Sequence, residues 1–233
     1  LWKEYISTSL SKFINPKTIY KGLMVFHKIG AGKTCAAILT ALQWIGKRRI
    51  IFIVPASLVG NIYKEFRSEC TGNRYVKALE KNKLNSLNPL TQEYKDLVSL
   101  INKRIDKDVD IYSFHKYVTL VEKSDMNLRN ALIIVDEVQN IVSEKGSFYK
   151  TILTSFQQSP ASTRIVIMSA TPIFDKPVEM ALTLNLLRPT NVLPVNKEFS
   201  ETFIGADKKN KPILKNKELL KEMISGYISF SPG

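Results

Sequence analysis

From residue 22 onward the chain alternates short, mainly apolar runs with longer amphipathic stretches. The runs fall at residues 23–26, 50–54, 109–112, 132–135 and 165–168, and each is β-branched or aromatic in part. A strand with one wet face alternates apolar and polar positions, whereas a strand covered on both faces is apolar at successive positions. The pattern therefore predicts five strands of a mostly parallel central sheet flanked by helices, an α/β fold.

Two segments break the rhythm. Between Cys70 and Asp108 the chain turns polar and lysine-rich, with Asn and Lys clustered at residues 81–85 and a helical pattern through 94–105. This predicts an insertion near residues 70–108, either a solvated surface helix with a flexible lead-in or a contact element. After Arg188 comes Pro-, Asn- and Lys-rich sequence, then an amphipathic segment at 218–228. Residues 1–190 thus read as one domain and 191–233 as a connector, or the start of a further region. Leu1 in place of Met, and the final Ser231-Pro232-Gly233, suggest a piece of something longer.

Composition narrows the class. At 233 residues and 44% hydrophobic, the chain can bury one sizeable core. Lys and Arg outnumber Asp and Glu by 34 to 21, a formal charge of +13, which favours polyanionic partners without proving one. Cys35 and Cys70 are the two cysteines. With no close Cys/His grouping they support neither a disulfide framework nor a zinc site, and a reducing, intracellular compartment fits best. No apolar run approaches the roughly 20 residues that cross a bilayer, so a soluble protein without membrane contact is expected.

The strongest chemical signal follows the first apolar run. Residues 22–34 form a strand and a glycine-bearing loop ending Gly30-Ala31-Gly32-Lys33-Thr34, followed by a helix opening with Ala36, Ala37, Ile38 and Leu39. Gly30 and Gly32 let the backbone turn successive N–H groups towards one anion, and the helix N-terminus adds partial positive charge. Lys33 then reaches the β- and γ-phosphates, and Thr34 offers a hydroxyl to Mg²⁺. His27 stands where the full loop pattern has glycine; it either packs at the strand end or bonds within the loop. Cys35 reads as a small helix residue.

Hydrolysis needs a metal-holding carboxylate and a group that orients water. The run at 132–135 ends in Asp136-Glu137-Val138-Gln139, which puts two carboxylates at the carboxyl edge of the sheet, where open α/β folds bind ligands. Asp136 suits Mg²⁺ and Glu137 the attacking water; taken alone, the pair equally suits an acidic helix cap. A third strand end, Ser169-Ala170-Thr171, brings two hydroxyls to the same edge.

In this order and spacing, Lys33-Thr34, Asp136-Glu137-Val138-Gln139 and Ser169-Ala170-Thr171 resemble motifs I, II and III of superfamily 2 helicases and translocases. Residues 51–66 look like motif Ia, and residues 111–115 stand where motif Ib is expected. The flanks at 20–35 and 169–189 are similar to NTPases of large nucleocytoplasmic DNA viruses, of the poxvirus early transcription factor small subunit and nucleoside triphosphate phosphohydrolase I type. The resemblance implies a RecA-like P-loop NTPase domain that binds and hydrolyses ATP with Mg²⁺. His27, Gly30, Ala31, Gly32, Lys33, Thr34 and Cys35 would surround the nucleotide, with Thr34 and Asp136 on the metal. Lys33, Asp136, Glu137 and Gln139 would carry catalysis, and Ser169, Ala170 and Thr171 would couple nucleotide state to nucleic acid. Pro55, Ser57, Asn61, Ser113 and His115 would hold the nucleic-acid backbone, DNA rather than RNA; Pro55 and Ser57 serve equally as turn and cap. Implied partners are a second RecA-like domain outside this chain and transcription machinery. A viral source would mean host cytoplasm or virion.

Two departures qualify the match. Motif II usually ends in His or Asp, and Gln139 can donate and accept but not titrate, so coupling through it should be insensitive to pH. The upstream glutamine that often reads adenine has no counterpart before Gln43. Motifs IV to VI, with the arginine finger worth about 10³ to 10⁵ in rate, are also not found, so the isolated chain should hydrolyse ATP weakly. The competing reading is a nucleotide-dependent switch or assembly module that binds a protein partner without moving along nucleic acid.

Overall fold

The computed structural model describes residues 12–15, 17–27, 32–142, 146–171, 176–188 and 192–231. Its centre is a six-stranded sheet in the order β3-β2-β4-β5-β1-β8, parallel throughout. The strands are β1 (Gly22–His27), β2 (Arg49–Val54), β3 (Asp110–Ser113), β4 (Ala131–Val135), β5 (Arg164–Ser169) and β8 (Ile228–Ser231). Five of them coincide with the apolar runs of the sequence to within two residues at each end.

Each strand divides its side chains between two cores. Leu23 and Val25, Ile50, Phe52 and Val54, Leu132 and Ile134 pack on one face. Met24, Ile51 and Ile53, Ile133 and Val135 pack on the other. The first face is covered by α1 (Lys33–Leu42), α2 (Val59–Phe66) and α4 (Gln92–Ile105), through Ala37, Ile38, Ile62, Phe66, Ile101 and Ile105. The second is covered by α5 (Phe114–Glu122), α6 (Ser147–Gln157), α7 (Val178–Asn185), α8 (Asn196–Phe203) and α9 (Lys217–Ile224). Period-two alternation inside strands that are apolar on both faces is the signature of a doubly covered parallel sheet.

The polar segment 70–108 is more firmly held than its composition suggests. Its lead-in is pinned by buried Tyr75 and Val76: the Tyr75 ring meets Phe66 edge-on at 5.8 Å, and its hydroxyl donates to Asp108 at 2.9 Å. Residues 81–85, expected in a flexible lead-in, lie in α3 (Ala78–Ser86). There Glu80 accepts from the Lys77 N–H and takes a two-pronged bond from Arg104 of α4 at 2.6 Å on each arm. Lys, Glu and Leu favour helix over irregular chain, and Arg104 supplies the tertiary tie.

Residues 191–233 do more than connect. After α8 comes a small antiparallel hairpin, β6 (Ile204–Ala206) with β7 (Pro212–Leu214), and then α9 leads into β8, which pairs with β1. The sixth strand escaped notice because residues 228–231 (Ile-Ser-Phe-Ser) lack a continuous apolar run.

The cysteines require a correction. Cys35 and Cys70, read from the sequence as unpaired, form a disulfide with their Cα atoms 5.8 Å apart. The first turn of α1 packs against the 3-10 turn Glu69–Thr71 that follows α2, bringing residues 35 positions apart to bonding range. The bond also removes the ground for inferring a reducing compartment from cysteine usage. Among the described residues, no helix is long and apolar enough to cross a membrane.

Candidate nucleotide site

Because the six strands run parallel, all their carboxyl ends meet at one edge, and the residues singled out in the sequence lie there. At the end of β1, Gly32 caps α1 in the left-handed region, φ 71° and ψ 30°, where a side chain would be strained. Lys33 and Thr34 then open α1 with their N–H groups at a helix start, which suits an anion. Gly30 and Ala31 lie outside the described residues, as does the His27 side chain.

Two strands away, the end of β4 delivers Asp136, whose N–H still donates to the Ile53 carbonyl of β2 at 3.0 Å. Asp136 is 4% exposed; its carboxyl accepts from the Glu137 N–H at 3.0 Å and lies beside the Thr34 hydroxyl. Its pKa is pushed up to about 6, chiefly by burial and then by the Glu137 charge; the Glu137 N–H, Lys33 and the Thr34 hydroxyl oppose the rise only partly. Such a group favours a cation beside it.

Glu137 has φ 52° and ψ 49°, a left-handed conformation that costs a non-glycine residue about 1–2 kcal/mol. That turn breaks the strand and aims the second carboxylate along the edge. Gln139 Nε2 donates to Glu137 Oε2 at 2.5 Å, Ser169 Oγ donates to Gln139 Oε1 at 2.8 Å, and the Thr171 N–H donates to Ser169 Oγ at 2.9 Å. Ser169 is fully buried at the end of β5, Ala170 is half-buried beside it, and Thr171 is exposed.

The structure thus brings Lys33, Thr34, Asp136, Glu137, Gln139, Ser169 and Thr171 into one connected group. Pro55, Ser57, Asn61, Ser113 and His115 form another, along the ends of β2 and β3. Pro55 starts the 3-10 turn Ala56–Leu58, and Ser57 and Asn61 are exposed on that turn and on α2. Ser113 caps α5, its Oγ accepting from the Lys116 N–H at 3.2 Å; His115 is exposed, with its ring 6.0 Å from that of Phe148. β3 and β1 stand four strand spacings apart, about 19 Å, and the two groups adjoin where β2 pairs with β4. Sequence reasoning missed Cys70, which no spacing rule ties to the phosphate loop, and the partners of Gln139, which only the turn at Glu137 brings within reach.

A parallel sheet with a glycine-capped helix start after one strand and a paired carboxylate after another defines the chain as a RecA-like P-loop nucleotide-binding domain. A family model described as DEAD/DEAH box helicase matches residues 12–180, and the chain belongs to that family. It is 45% identical over 227 residues to the "Putative ATP-dependent RNA helicase R563" of Acanthamoeba polyphaga mimivirus, across 96% of this chain and 40% of that protein. It is 24% identical over 218 residues to a "Termination factor NPH-I homolog" of African swine fever virus, across 91% of this chain and 28% of that one. In fold it is similar to the Sulfolobus solfataricus SWI2/SNF2 ATPase core in complex with dsDNA, with TM-score 0.57, 18% identity, 97% of this chain and 42% of that chain covered. The chain spans less than half the length of these relatives.

Proposed function

We propose that this chain is the nucleotide-binding half of a nucleic-acid-dependent ATP hydrolase of the helicase or translocase type. One observation carries the reading: a hydrogen-bond path from Asp136, beside Thr34, through the Glu137 backbone and carboxylate, Gln139 and Ser169 to the Thr171 N–H. It joins the group that would sense the γ-phosphate, at the end of β4, to the end of the neighbouring strand β5. A passive nucleotide store has no use for such a path.

In this reading Lys33 pairs with the β- and γ-phosphates, and Glu137 holds and polarises the attacking water. Its donor from Gln139 fixes the carboxylate's direction. The Thr34 hydroxyl and Asp136 carboxylate are neighbouring hard oxygens, a donor pair that fits Mg²⁺. When bound, the ion neutralises phosphate charge. Pro55, Ser57, Asn61, Ser113 and His115 lie where backbone contacts to a strand would form, contacts that carry no base preference. A second RecA-like domain in the longer protein supplies the opposing wall and the missing arginine. The viral relatives support a viral protein acting in host cytoplasm or virion, and the African swine fever virus relative's name supports transcription machinery as a partner.

The test is phosphate release by the full-length protein, alone and with duplex DNA, single-stranded DNA or RNA over a salt series. We expect stimulation that fades with salt, loss of turnover in Glu137→Gln, and loss of nucleotide binding in Lys33→Ala. Our expectation for the better polymer is DNA, although the mimivirus relative is named for RNA, and the same assay ranks the two. Turnover indifferent to every polymer would overturn the reading in favour of a switch that binds a protein partner.

A further inference from the structure

The Cys35–Cys70 bond has no part in the proposed hydrolysis, yet it sits one residue beyond Thr34. At one end it holds the first turn of α1. At the other it holds a 3-10 turn that is a rigid extension of α2: the Thr71 hydroxyl, buried, donates to the Phe66 carbonyl at 3.0 Å, and the Ser68 hydroxyl donates to the Glu65 carbonyl at 2.7 Å. The Cys70 N–H in turn donates to Ser68 Oγ at 3.1 Å. The bond therefore ties the helix that opens at Lys33 to the helix that bears Asn61. It joins the nucleotide group to the group at the end of β2 on the face of the sheet opposite α5 and α6.

We propose that Cys35–Cys70 is a reversible thiol–disulfide modification site, taking a dithiol as its reaction partner and setting the affinity of the nucleotide site. The proposal rests on the nucleotide-binding reading above. The two sulfurs differ in access: Cys35 is 4% exposed, whereas Cys70 is half-buried at the surface of its turn. An incoming thiolate attacks the Cys70 sulfur, the S–S bond breaks, and Cys35 leaves with the electron pair and takes a proton from water. The second thiol of the same dithiol then displaces Cys70 from the mixed disulfide. The chain gains two electrons and two protons as free thiols, and the dithiol loses them as its own disulfide. Glu65, whose carboxylate lies within 4.8 Å of both sulfurs, puts negative charge beside the site and favours neutral dithiols over anionic ones.

The consequence for the nucleotide follows from preorganisation. While bonded, the turn that carries Lys33 and Thr34 is held against α2, and a bound phosphate has less chain left to order. Reduction frees that turn and weakens binding.

The experiment uses the full-length protein equilibrated over a range of ratios of reduced to oxidised dithiothreitol. Bond state is read by alkylation and mass, affinity by titration with a fluorescent ADP and Mg²⁺, and order by hydrogen exchange of amides 33–37. We expect the oxidised protein to bind about five- to tenfold more tightly and to exchange those amides more slowly. Cys70→Ser should show the weaker affinity at every ratio. A bond that forms at no ratio, or equal affinities in the two states, would overturn the proposal. Should neither state bind nucleotide, the reading of the site itself fails; slower exchange in the oxidised protein would still support a tethered turn, and equal exchange would overturn it.

Discussion

Replacing Asp136 by Asn should make the nucleotide-free protein more stable while disabling its site. The Asp136 carboxyl is 4% exposed, and its pKa stands at about 6 in the folded chain against an ordinary value near 4. Because the folded pKa is the higher one, the folded chain binds more protons than the unfolded chain between pH of about 4 and about 6. Stability from this group is therefore lost as pH rises through that window, and above it the full penalty remains. A roughly hundredfold difference in proton affinity corresponds to about 3 kcal/mol, an order-of-magnitude figure that burial leaves undiminished by solvent. Asn keeps an oxygen to accept from the Glu137 N–H and a size that fits the strand end. Urea unfolding of both proteins at pH 4, 6 and 8 isolates the effect, because the titrating groups remote from Asp136 cancel in the difference. The stability gained by Asp136→Asn should grow from near zero at pH 4 towards about 3 kcal/mol at pH 8, with Mg-nucleotide binding lost. A difference that is flat with pH, or a variant less stable at pH 8, would refute the reasoning.

Other substitutions probe other links. Gly22→Ala would set a Cβ 2.8 Å from Leu187 Cδ2 and 3.1 Å from its Cβ at the start of β1, so overpacking should cost about 1–3 kcal/mol in thermal or urea unfolding. Phe66→Ala empties a fully buried site between the rings of Phe52 and Tyr75, which should cost about 3–5 kcal/mol and loosen the segment around Tyr75 to proteolysis. Ser169→Ala removes the middle of the hydrogen-bond path at a cost of about 1 kcal/mol, since half-exposed Gln139 can turn to water. Nucleotide affinity should survive it while stimulation by nucleic acid falls, and retained stimulation would show that coupling runs elsewhere.

The five strands and the two principal motifs could be read from one sequence because they are local. A mainly apolar run of four or five residues, a glycine before Lys33 and two carboxylates after a strand each signal themselves within a few positions. What escaped was non-local or conditional. The disulfide joins positions 35 apart through the packing of a helix start on a turn. The strand 228–231 is half polar and earns its place through pairing with β1. Residues 81–85 looked loose by composition and are helical because Arg104, more than 20 positions away, clasps Glu80. Gln139 was legible as a residue that donates and accepts without titrating. That it donates to Glu137 and accepts from Ser169 depends on the left-handed turn at Glu137, which nothing in the residue type announces.

The pairing of β8 with β1 bears on how this protein can be handled and how it can fail. β1, the strand that feeds the phosphate loop, lies between β5 and β8, with Met24 to His27 facing Ile228 to Ser231. A polypeptide trimmed at residue 190, where composition invites a boundary, would leave β1 as an open margin of unpaired N–H and C=O groups on an apolar strand. Such margins recruit strands from neighbouring molecules. The trimmed product would therefore tend to self-associate through the very strand that carries its nucleotide loop, and a loss of binding in it would report aggregation rather than chemistry.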